Sequence, residues 1–262
     1  MPIRCSIPIR SVCQHEFKDL DFQVMRHAFD THNGLGSLAN EDVYQRDLAN
    51  RLERHGFRVN REVELLLTHG SFTKSLFLDL VVNEFAVYEL KVAKAISEAH
   101  VGQLLSYLCL LNLERGKLIN FGSRKVESRF VNSALSHDER RSFSVDEASY
   151  CGPEFLRRSM VELVGDWGTS LSVSLYREAM VHLLGGSESV EAMIDMKLDG
   201  MDTGKQRFCL ASPDEAFQIT SIYKTDVDFE SHLKRLLAAS PLSRLHWINV
   251  ERHRLQFVTV HR

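Results

Sequence analysis

The order of apolar and polar residues predicts alternating helices and strands in two similar halves of the chain. Apolar residues that recur every three or four positions indicate amphipathic helices, and short segments rich in Leu, Val and Phe are typical of buried strands. In the first half, helices are predicted over 18–33, 39–55 and 98–113, and strands over 58–67, 76–82, 85–92, 116–121 and 126–131. In the second half, helices are predicted over 154–165, 173–184 and 227–239, and strands over 190–197, 206–211, 215–222, 244–250 and 254–260. The first helix is predicted to gather Phe22, Met25, Ala28 and Phe29 on one apolar face.

A polar stretch separates the two halves. Residues 132–152 follow neither the helical nor the strand period, which is typical of a connecting segment. The predicted organisation is a first domain over 1–135, a linker over 136–152 and a second domain over 153–262.

The second half repeats the register of the first as well as its element order. Ile119-Asn120 recurs as Ile248-Asn249 with an offset of 129, and Gly36 and Tyr44 recur as Gly168 and Tyr176 with an offset of 132. Offsets that stay constant along the chain, apart from one three-residue gap, predict an internal duplication. The alternative is a pair of unrelated α/β domains.

Two acidic residues and a lysine form the main candidate site. Strands 76–82 and 85–92 read as a hairpin about residues 83–85, with Asp79 opposite Glu89. Two carboxylates placed across a ladder repel each other, and burying both as anions is costly without a cation. Hard divalent cations prefer carboxylate oxygens. Lys91 projects from the same strand face as Glu89, where it can orient or deprotonate a water, or neutralise charge on a phosphate. The alternative is an exposed alternation of charges.

Other polar residues are candidates for the same site. His100, Gln103 and Tyr107 share one face of helix 98–113, although this polar stripe is equally compatible with a solvated surface. Glu41 begins its helix three residues before Tyr44, and an acidic residue is also favourable there because of the helix dipole.

Together these segments resemble a known family. They are residues 34–36, residues 41–44, LDLVVNEFAVYELKV (78–92), QLLSYL (103–108) and GKLINFG (116–122). They resemble the GxxExxY family, a branch of the PD-(D/E)XK nuclease-like superfamily, over about residues 20–132. Between Gly36 and Glu41 this chain has four residues (SLAN) where the family has two.

The resemblance implies a restriction-endonuclease-like α-β-β-β-α-β core with a central mixed sheet. It implies that Asp79, Glu89 and Glu41 are the metal ligands for Mg²⁺ or Mn²⁺, and that Lys91 is the catalytic lysine. Gln103 and Tyr107 would be supporting residues. Tyr44 and His100 are further supporting candidates. Nucleic acid, either DNA or RNA, is the implied partner.

The second half lacks these acidic residues. The repeat places Phe208 at the position of Asp79, Gln218 at that of Glu89, Thr220 at that of Lys91 and His232 at that of Gln103, with Val173 at that of Glu41. We therefore predict two tandem units, the second a degenerate copy, packed as a pseudo-dimer within a monomeric chain.

Composition narrows the class of protein. The chain has 262 residues, 44% of them hydrophobic and 26% charged, close to the globular norm. Five scattered cysteines favour neither a disulfide framework nor a zinc site, and no segment has the length of a membrane span. The chain also has no secretory signal and no Gly-rich phosphate loop. These features predict a cytoplasmic protein without a membrane or a nucleotide cofactor.

The charge balance keeps a second function open. The net charge is -3, whereas dedicated DNA-binding proteins are usually basic. The leading prediction is a metal-dependent nuclease whose first domain cuts and whose second domain is structural or positions the substrate. The alternatives are a non-catalytic module that binds nucleic acid or a protein partner, and a purely structural protein that retains a relict site.

Overall fold

The computed structural model describes residues 2–223 and 227–262, which form two compact α/β units. The first unit comprises the chain up to Thr68 together with Thr73–His137, and the second comprises His69–Phe72 and Asp138–Arg262. Each contains a six-stranded mixed sheet with helices. The predicted fold class, two tandem mixed α/β units, is confirmed.

The elements follow the predicted order closely. Those of the first half are β1 (Ile3–Cys5), α1 (Gln14–Leu35), α2 (Glu41–Arg54), β2 (Val59–His69), β3 (Phe72–Val82), β4 (Ala86–Lys91), α3 (Glu98–Leu111), β5 (Arg115–Asn120) and β6 (Glu127–Asn132). Those of the second half are α4 (His137–Arg141), β7 (Ser144–Ser149), α5 (Glu154–Trp167), α6 (Val173–Leu183), α7 (Ser187–Val190), β8 (Glu191–Leu198), β9 (Met201–Ser212), β10 (Glu215–Thr220), α8 (Val227–Ala238), β11 (Arg244–Val250) and β12 (Arg254–His261). Among the described residues, no helix is long and apolar enough to cross a membrane.

The first sheet has the strand order β1-β2-β3-β4-β5-β6. Strands β4 and β5 are parallel, and α3 forms the crossover that a parallel pair requires. The β3–β4 hairpin pairs Leu80 with Tyr88 and Val82 with Ala86, so its predicted register is confirmed. The turn uses Asn83 and Glu84 in left-handed conformations, with φ of 53° and 60°. This topology makes β4 an interior strand, with apolar cores on both of its faces.

Two hydrophobic cores cover the two faces of the first sheet. Helices α1 and α2 pack on one face and α3 on the other. The apolar face predicted for α1 is wrong, because Phe22 is 71% exposed and Phe29 is also exposed. Helix α1 instead buries a stripe at helical spacing, which consists of Phe17, Leu20, Asp21, Val24, His27, Ala28 and Thr31. The helix is rotated in this way because the stripe includes Asp21, which pairs with a buried lysine of β5.

That lysine is Lys117, and the pair is expected to dominate the electrostatic stability of the first unit. Lys117 Nζ lies 2.6 Å from Asp21 Oδ2, and both side chains are buried. We expect Lys117→Met to cost about 3–5 kcal/mol in urea unfolding, because it leaves Asp21 buried without a countercharge. The exposed pair Arg58–Glu84, at 2.6 Å, provides the control, and Arg58→Ala is expected to cost less than about 1 kcal/mol. Similar costs for the two variants would contradict this prediction.

The second sheet has the strand order β7-β12-β11-β10-β9-β8. Strands β10 and β11 are parallel, like β4 and β5 in the first unit. The β9–β10 hairpin differs from its prediction, because Ser212 pairs with Glu215 across a two-residue turn rather than a three-residue loop. A register shift after this pair absorbs the extra residue, and Phe217 then pairs with Cys209 as the predicted register requires.

The segment predicted as a linker, 136–152, contains structure. It includes the short helix α4 and the strand β7, which pairs in parallel with β12. Strand β1, which has no counterpart among the predicted elements, pairs antiparallel with β2. Both are edge strands held through main-chain hydrogen bonds. Most β7 side chains are exposed, so the strand carries no apolar period from which it could be predicted.

The two units share hydrogen bonds at equivalent positions. Tyr44 Oη donates to Gly36 O at 2.7 Å, and Tyr176 Oη donates to Gly168 O at 2.5 Å. A second shared feature is an asparagine at the end of β5 or β11 whose amide bonds both main-chain groups of one residue. Asn120 bonds Ala93 N and O, and Asn249 bonds Ile222 N and O. The offsets in these pairs are the 132 and 129 found in the sequence.

Candidate active site

The candidate site lies where β3, β4 and the start of α2 meet. Strand β4 ends with Glu89, Leu90 and Lys91, and β3 brings Asp79 beside them. Glu41 is the first residue of α2. Glu89 is fully buried, Asp79 and Lys91 are largely buried, and Glu41 is about half exposed. The site therefore grades from a buried acid to one that solvent reaches.

Lys91 lies among the three carboxylates. Its Nζ is 2.8 Å from Glu89 Oε1, 3.9 Å from Asp79 Oδ2 and 3.8 Å from Glu41 Oε1. Partial burial lowers the pKa of Lys91, but the charges of Glu89, Asp79 and Glu41 outweigh this and raise it above its ordinary value. The lysine is therefore a cation here, suited to attracting an anion and not to accepting a proton.

Asp79 is held by the main chain of β4. The last recorded pair of the β3–β4 ladder is Leu80 with Tyr88, so the predicted direct pairing of Asp79 with Glu89 lies one position beyond it. Beyond the ladder, the Leu90 amide donates to Asp79 Oδ2 at 2.6 Å. The side chain of Asp79 thus accepts a hydrogen bond that a strand neighbour would otherwise accept. Burial, opposed by this hydrogen bond, raises the pKa of Asp79.

Glu89 is the most constrained acid of the site. It is 0% exposed, and Oε1 accepts hydrogen bonds from Lys91 Nζ at 2.8 Å and Gln103 Nε2 at 2.6 Å. Its other oxygen, Oε2, is buried with no hydrogen-bond partner. Burial first, and then the nearby charge of Asp79, raise the pKa of Glu89. A buried oxygen left unpaired costs about 1–3 kcal/mol, more if charged, which is unusual in a site that serves stability alone.

Helix α3 supports Glu89 from the side. Gln103 Nε2 also lies 3.0 Å from Tyr107 Oη, so the tyrosine and the glutamate share one amide group. Tyr107 is buried, and its pKa is raised to about 12 by burial and by the charge of Glu89. The structure thus brings both predicted residues of the α3 stripe to the site.

Tyr44 and His100 lie apart from the carboxylates. Tyr44 stacks on Phe121 with ring centroids 4.7 Å apart and bonds the loop before α2, so it fixes the helix that carries Glu41. His100 Nδ1 accepts from Ser97 N at 3.2 Å, and Ser97 Oγ accepts from His100 N. This reciprocal pair is a capping box, and it assigns His100 a role in starting α3.

Sequence reasoning missed two residues beside the site. Gln45 lies one helical turn after Glu41 and donates to Asp79 O at 2.9 Å and Glu62 Oε1 at 2.5 Å. The charge of Glu62 is also among those that raise the pKa of Asp79. The i, i+4 spacing of Glu41 and Gln45 was the available signal, since such residues share a helix face.

The donor set fits a hard divalent cation. Within residues 2–223 and 227–262, no three acidic, histidine or cysteine side chains converge on a common point as a full set of ligands. Mg²⁺ does not need such a set, because it usually binds through one or two carboxylates, waters and substrate phosphates. Asp79 and Glu89 supply two carboxylates, and the unpaired Glu89 Oε2 is an oxygen that a cation would satisfy.

The comparisons with known proteins concern the first unit. No curated protein matches the chain closely enough to indicate a relative. The one family match begins in α1 and ends in β6, so it includes every residue of the candidate site and none of the second unit. Residues 18–131 match the family model described as the PD-(D/E)XK nuclease superfamily, and this match supports placing the first unit in that superfamily.

Proposed function

We propose that the first unit is a divalent-metal-dependent nuclease that hydrolyses phosphodiester bonds. The observation that carries this proposal is the meeting of Lys91 with Asp79 and with Glu89, whose second carboxylate oxygen is buried and unpaired. Asp79 and Glu89, with Glu41 as a third acid, would hold Mg²⁺ or Mn²⁺. The ion, when bound, supplies Lewis-acid polarisation of the phosphate and lowers the pKa of a water.

The residues of the chain divide the remaining work. Lys91 offers a positive charge to the phosphate oxygens, which become more negative in the transition state. Gln103 fixes one oxygen of Glu89 through its amide, and Tyr107 fixes Gln103. The Leu90 amide fixes Asp79. Each acid is thus held by a neutral donor that keeps its geometry without adding a competing charge.

A binding module without turnover is the second candidate function. The observation that favours it is that Lys91 lies within 4 Å of all three carboxylates, so the site is partly neutralised by its own residues. The overall net charge of -3 also gives little general attraction for nucleic acid. Such a module would bind DNA, RNA or a protein without cutting it.

A cleavage assay decides between these functions. The purified chain is incubated with single- and double-stranded DNA and RNA, with Mn²⁺, with Mg²⁺ and with EDTA. A nuclease gives cleavage with metal and none with EDTA. Salt-sensitive binding without cleavage supports the second candidate, and the absence of both contradicts both functions.

We propose that the second unit is a degenerate copy without catalysis. Thr220, at the position of Lys91, bonds Asn249 at 2.8 Å and Trp247 at 2.7 Å, so it has a structural role. Gln218, at the position of Glu89, is exposed. The hydrogen bonds that the two units share support the duplication. The pseudo-dimeric packing, the monomeric state and the cytoplasmic location stay predictions.

Gln218 offers a matched test of this difference between the units. We expect Gln218→Ala to leave metal-dependent cleavage within about twofold of wild type, because an exposed side chain outside the site rarely changes activity or stability. Glu89→Ala, at the equivalent position of the first unit, is expected to remove cleavage. Initial rates with Mn²⁺ measure both. A metal located at Gln218 in a Mn²⁺-soaked crystal would contradict the assignment.

A further inference from the structure

A buried glutamine connects three elements of the first unit beside the candidate site. Gln45 is 3% exposed and lies on α2 one turn after Glu41. Its Nε2 donates to the main-chain oxygen of Asp79 on β3 at 2.9 Å and to Glu62 Oε1 on β2 at 2.5 Å. Its Oε1 accepts from Arg61 Nε at 3.0 Å. One amide therefore joins the helix of Glu41 to the strands of Asp79 and Glu62.

The partners fix the orientation of this amide. Arg61 has only donors, so it must face the amide oxygen, whereas the Asp79 carbonyl and the Glu62 carboxylate have only acceptors and must face the amide nitrogen. Arg61 also donates to Asp42 Oδ1 at 3.2 Å, which ties the guanidinium to the residue after Glu41. A flipped amide would oppose all three partners at once, so Gln45 has a single satisfied arrangement.

The backbone of Glu62 supports a positional role. Glu62 has φ of 49° within β2, a left-handed conformation that a side-chain-bearing residue adopts at some cost. Local strain of this kind is typical of functional sites, and here the carboxylate of the strained residue is the one that meets Gln45. A glutamine that served only to fill the core would need neither this partner nor the Asp79 carbonyl.

We propose that Gln45 is a positioning residue of the acidic site. It sets the distance between Glu41 and Asp79 by bonding the main chain of Asp79 from the helix that carries Glu41, and it holds Glu62 beside them. This inference rests on the proposed function, because it assigns to the same site a residue that acts through the predicted ligands. Gln45 itself touches neither metal nor substrate.

Two variants of Gln45 separate its packing from its hydrogen bonds. Gln45→Met keeps the side-chain length and removes all three bonds. Gln45→Glu keeps the shape but places a carboxylate against the Asp79 carbonyl and Glu62. The matched control is Leu48→Ala, since Leu48 is fully buried on the same helix and its loss weakens the packing of α2 without touching the amide network. Thermal unfolding shows that each variant is folded and ranks its stability.

The first measurement is Mn²⁺ affinity, by calorimetric titration of the full chain. We expect Gln45→Met to bind Mn²⁺ about 10–100-fold more weakly than wild type, the usual effect of removing a residue that orients metal ligands. Gln45→Glu should bind at least as weakly. Leu48→Ala should bind within about twofold of wild type, since it leaves the network intact. Wild-type affinity in Gln45→Met, or an equal loss in Leu48→Ala, would overturn the proposal.

The second measurement needs no metal. The Leu90 amide donates to Asp79 Oδ2, so its proton chemical shift in a ¹H–¹⁵N spectrum reports the position of the Asp79 carboxylate. This shift should move in Gln45→Met and stay in place in Leu48→Ala. If wild type binds no Mn²⁺, the metal part of the proposed function fails, and the Leu90 amide alone decides the role of Gln45. An unmoved Leu90 amide in Gln45→Met then refutes it.

Discussion

Replacing Lys91 by methionine is expected to reduce metal-dependent cleavage by about 10²–10³-fold, the usual cost of removing one preorganised group that stabilises transition-state charge. Lys91 is the cation that reaches Glu89, Asp79 and Glu41, with Nζ–oxygen distances of 2.8, 3.9 and 3.8 Å. Methionine keeps the length of the side chain and removes its charge. The loss should appear mainly in kcat, because the charge acts on the reacting phosphate.

The controls for this variant separate catalysis from general electrostatics. Lys18→Met removes an exposed lysine of α1 and is expected to leave cleavage unchanged. Lys91→Arg keeps the charge but changes the geometry of the donors, so it should retain part of the activity. Single-turnover rates with Mn²⁺ on the preferred substrate measure all three. Full activity in Lys91→Met would remove Lys91 from the proposed mechanism.

Glu89→Gln is expected to abolish cleavage and yet stabilise the metal-free protein. The change removes a carboxylate that the proposed metal needs. It also removes a charge that burial disfavours, since Glu89 is 0% exposed and its pKa is raised, chiefly by burial and then by the charge of Asp79. The amide can still accept from Gln103, and Lys91 keeps Asp79 and Glu41 as partners. A gain in stability that accompanies a loss of function is typical of residues kept for their chemistry.

The direction of the pH dependence follows from that raised pKa. In the unfolded chain Glu89 loses its proton near the ordinary glutamate value, about 4.3, whereas the folded protein holds the proton to higher pH. The contribution of Glu89 to stability is therefore fully present at acidic pH and is lost as the pH rises through its folded pKa. Asp79 acts in the same direction, so wild type is expected to keep part of this slope even without Glu89.

Urea unfolding in EDTA at pH 5 and pH 8 tests this prediction. The advantage of Glu89→Gln over wild type should be small at pH 5 and larger at pH 8. Glu53→Gln, which changes an exposed glutamate of α2, is the control and should show no such trend. A variant that is less stable than wild type at pH 8 would mean that the ion pair with Lys91 outweighs the cost of burying Glu89.

The hydrophobic pattern predicted most of the fold because its elements are locally encoded. The register of Leu80 with Tyr88 follows from a short turn and a two-residue period, and it was confirmed. Strand β7 was missed because its side chains are mostly exposed and main-chain bonds to β12 create it. The orientation of α1 was wrong because Phe22 is apolar yet exposed. Its partner for burial, Lys117, is distant in sequence and pairs with Asp21.

By itself, the sequence determined the two α/β halves and the grouping of Asp79, Glu89 and Lys91, since strand periodicity and hairpin register depend on neighbours along the chain. Only the tertiary structure decided how these groups are held. It gave Asp79 the Leu90 amide, left Glu89 Oε2 unpaired and placed Gln45 between α2 and β3. These contacts join elements that are distant in sequence, and burial changes the energy of a charge only after the elements have packed.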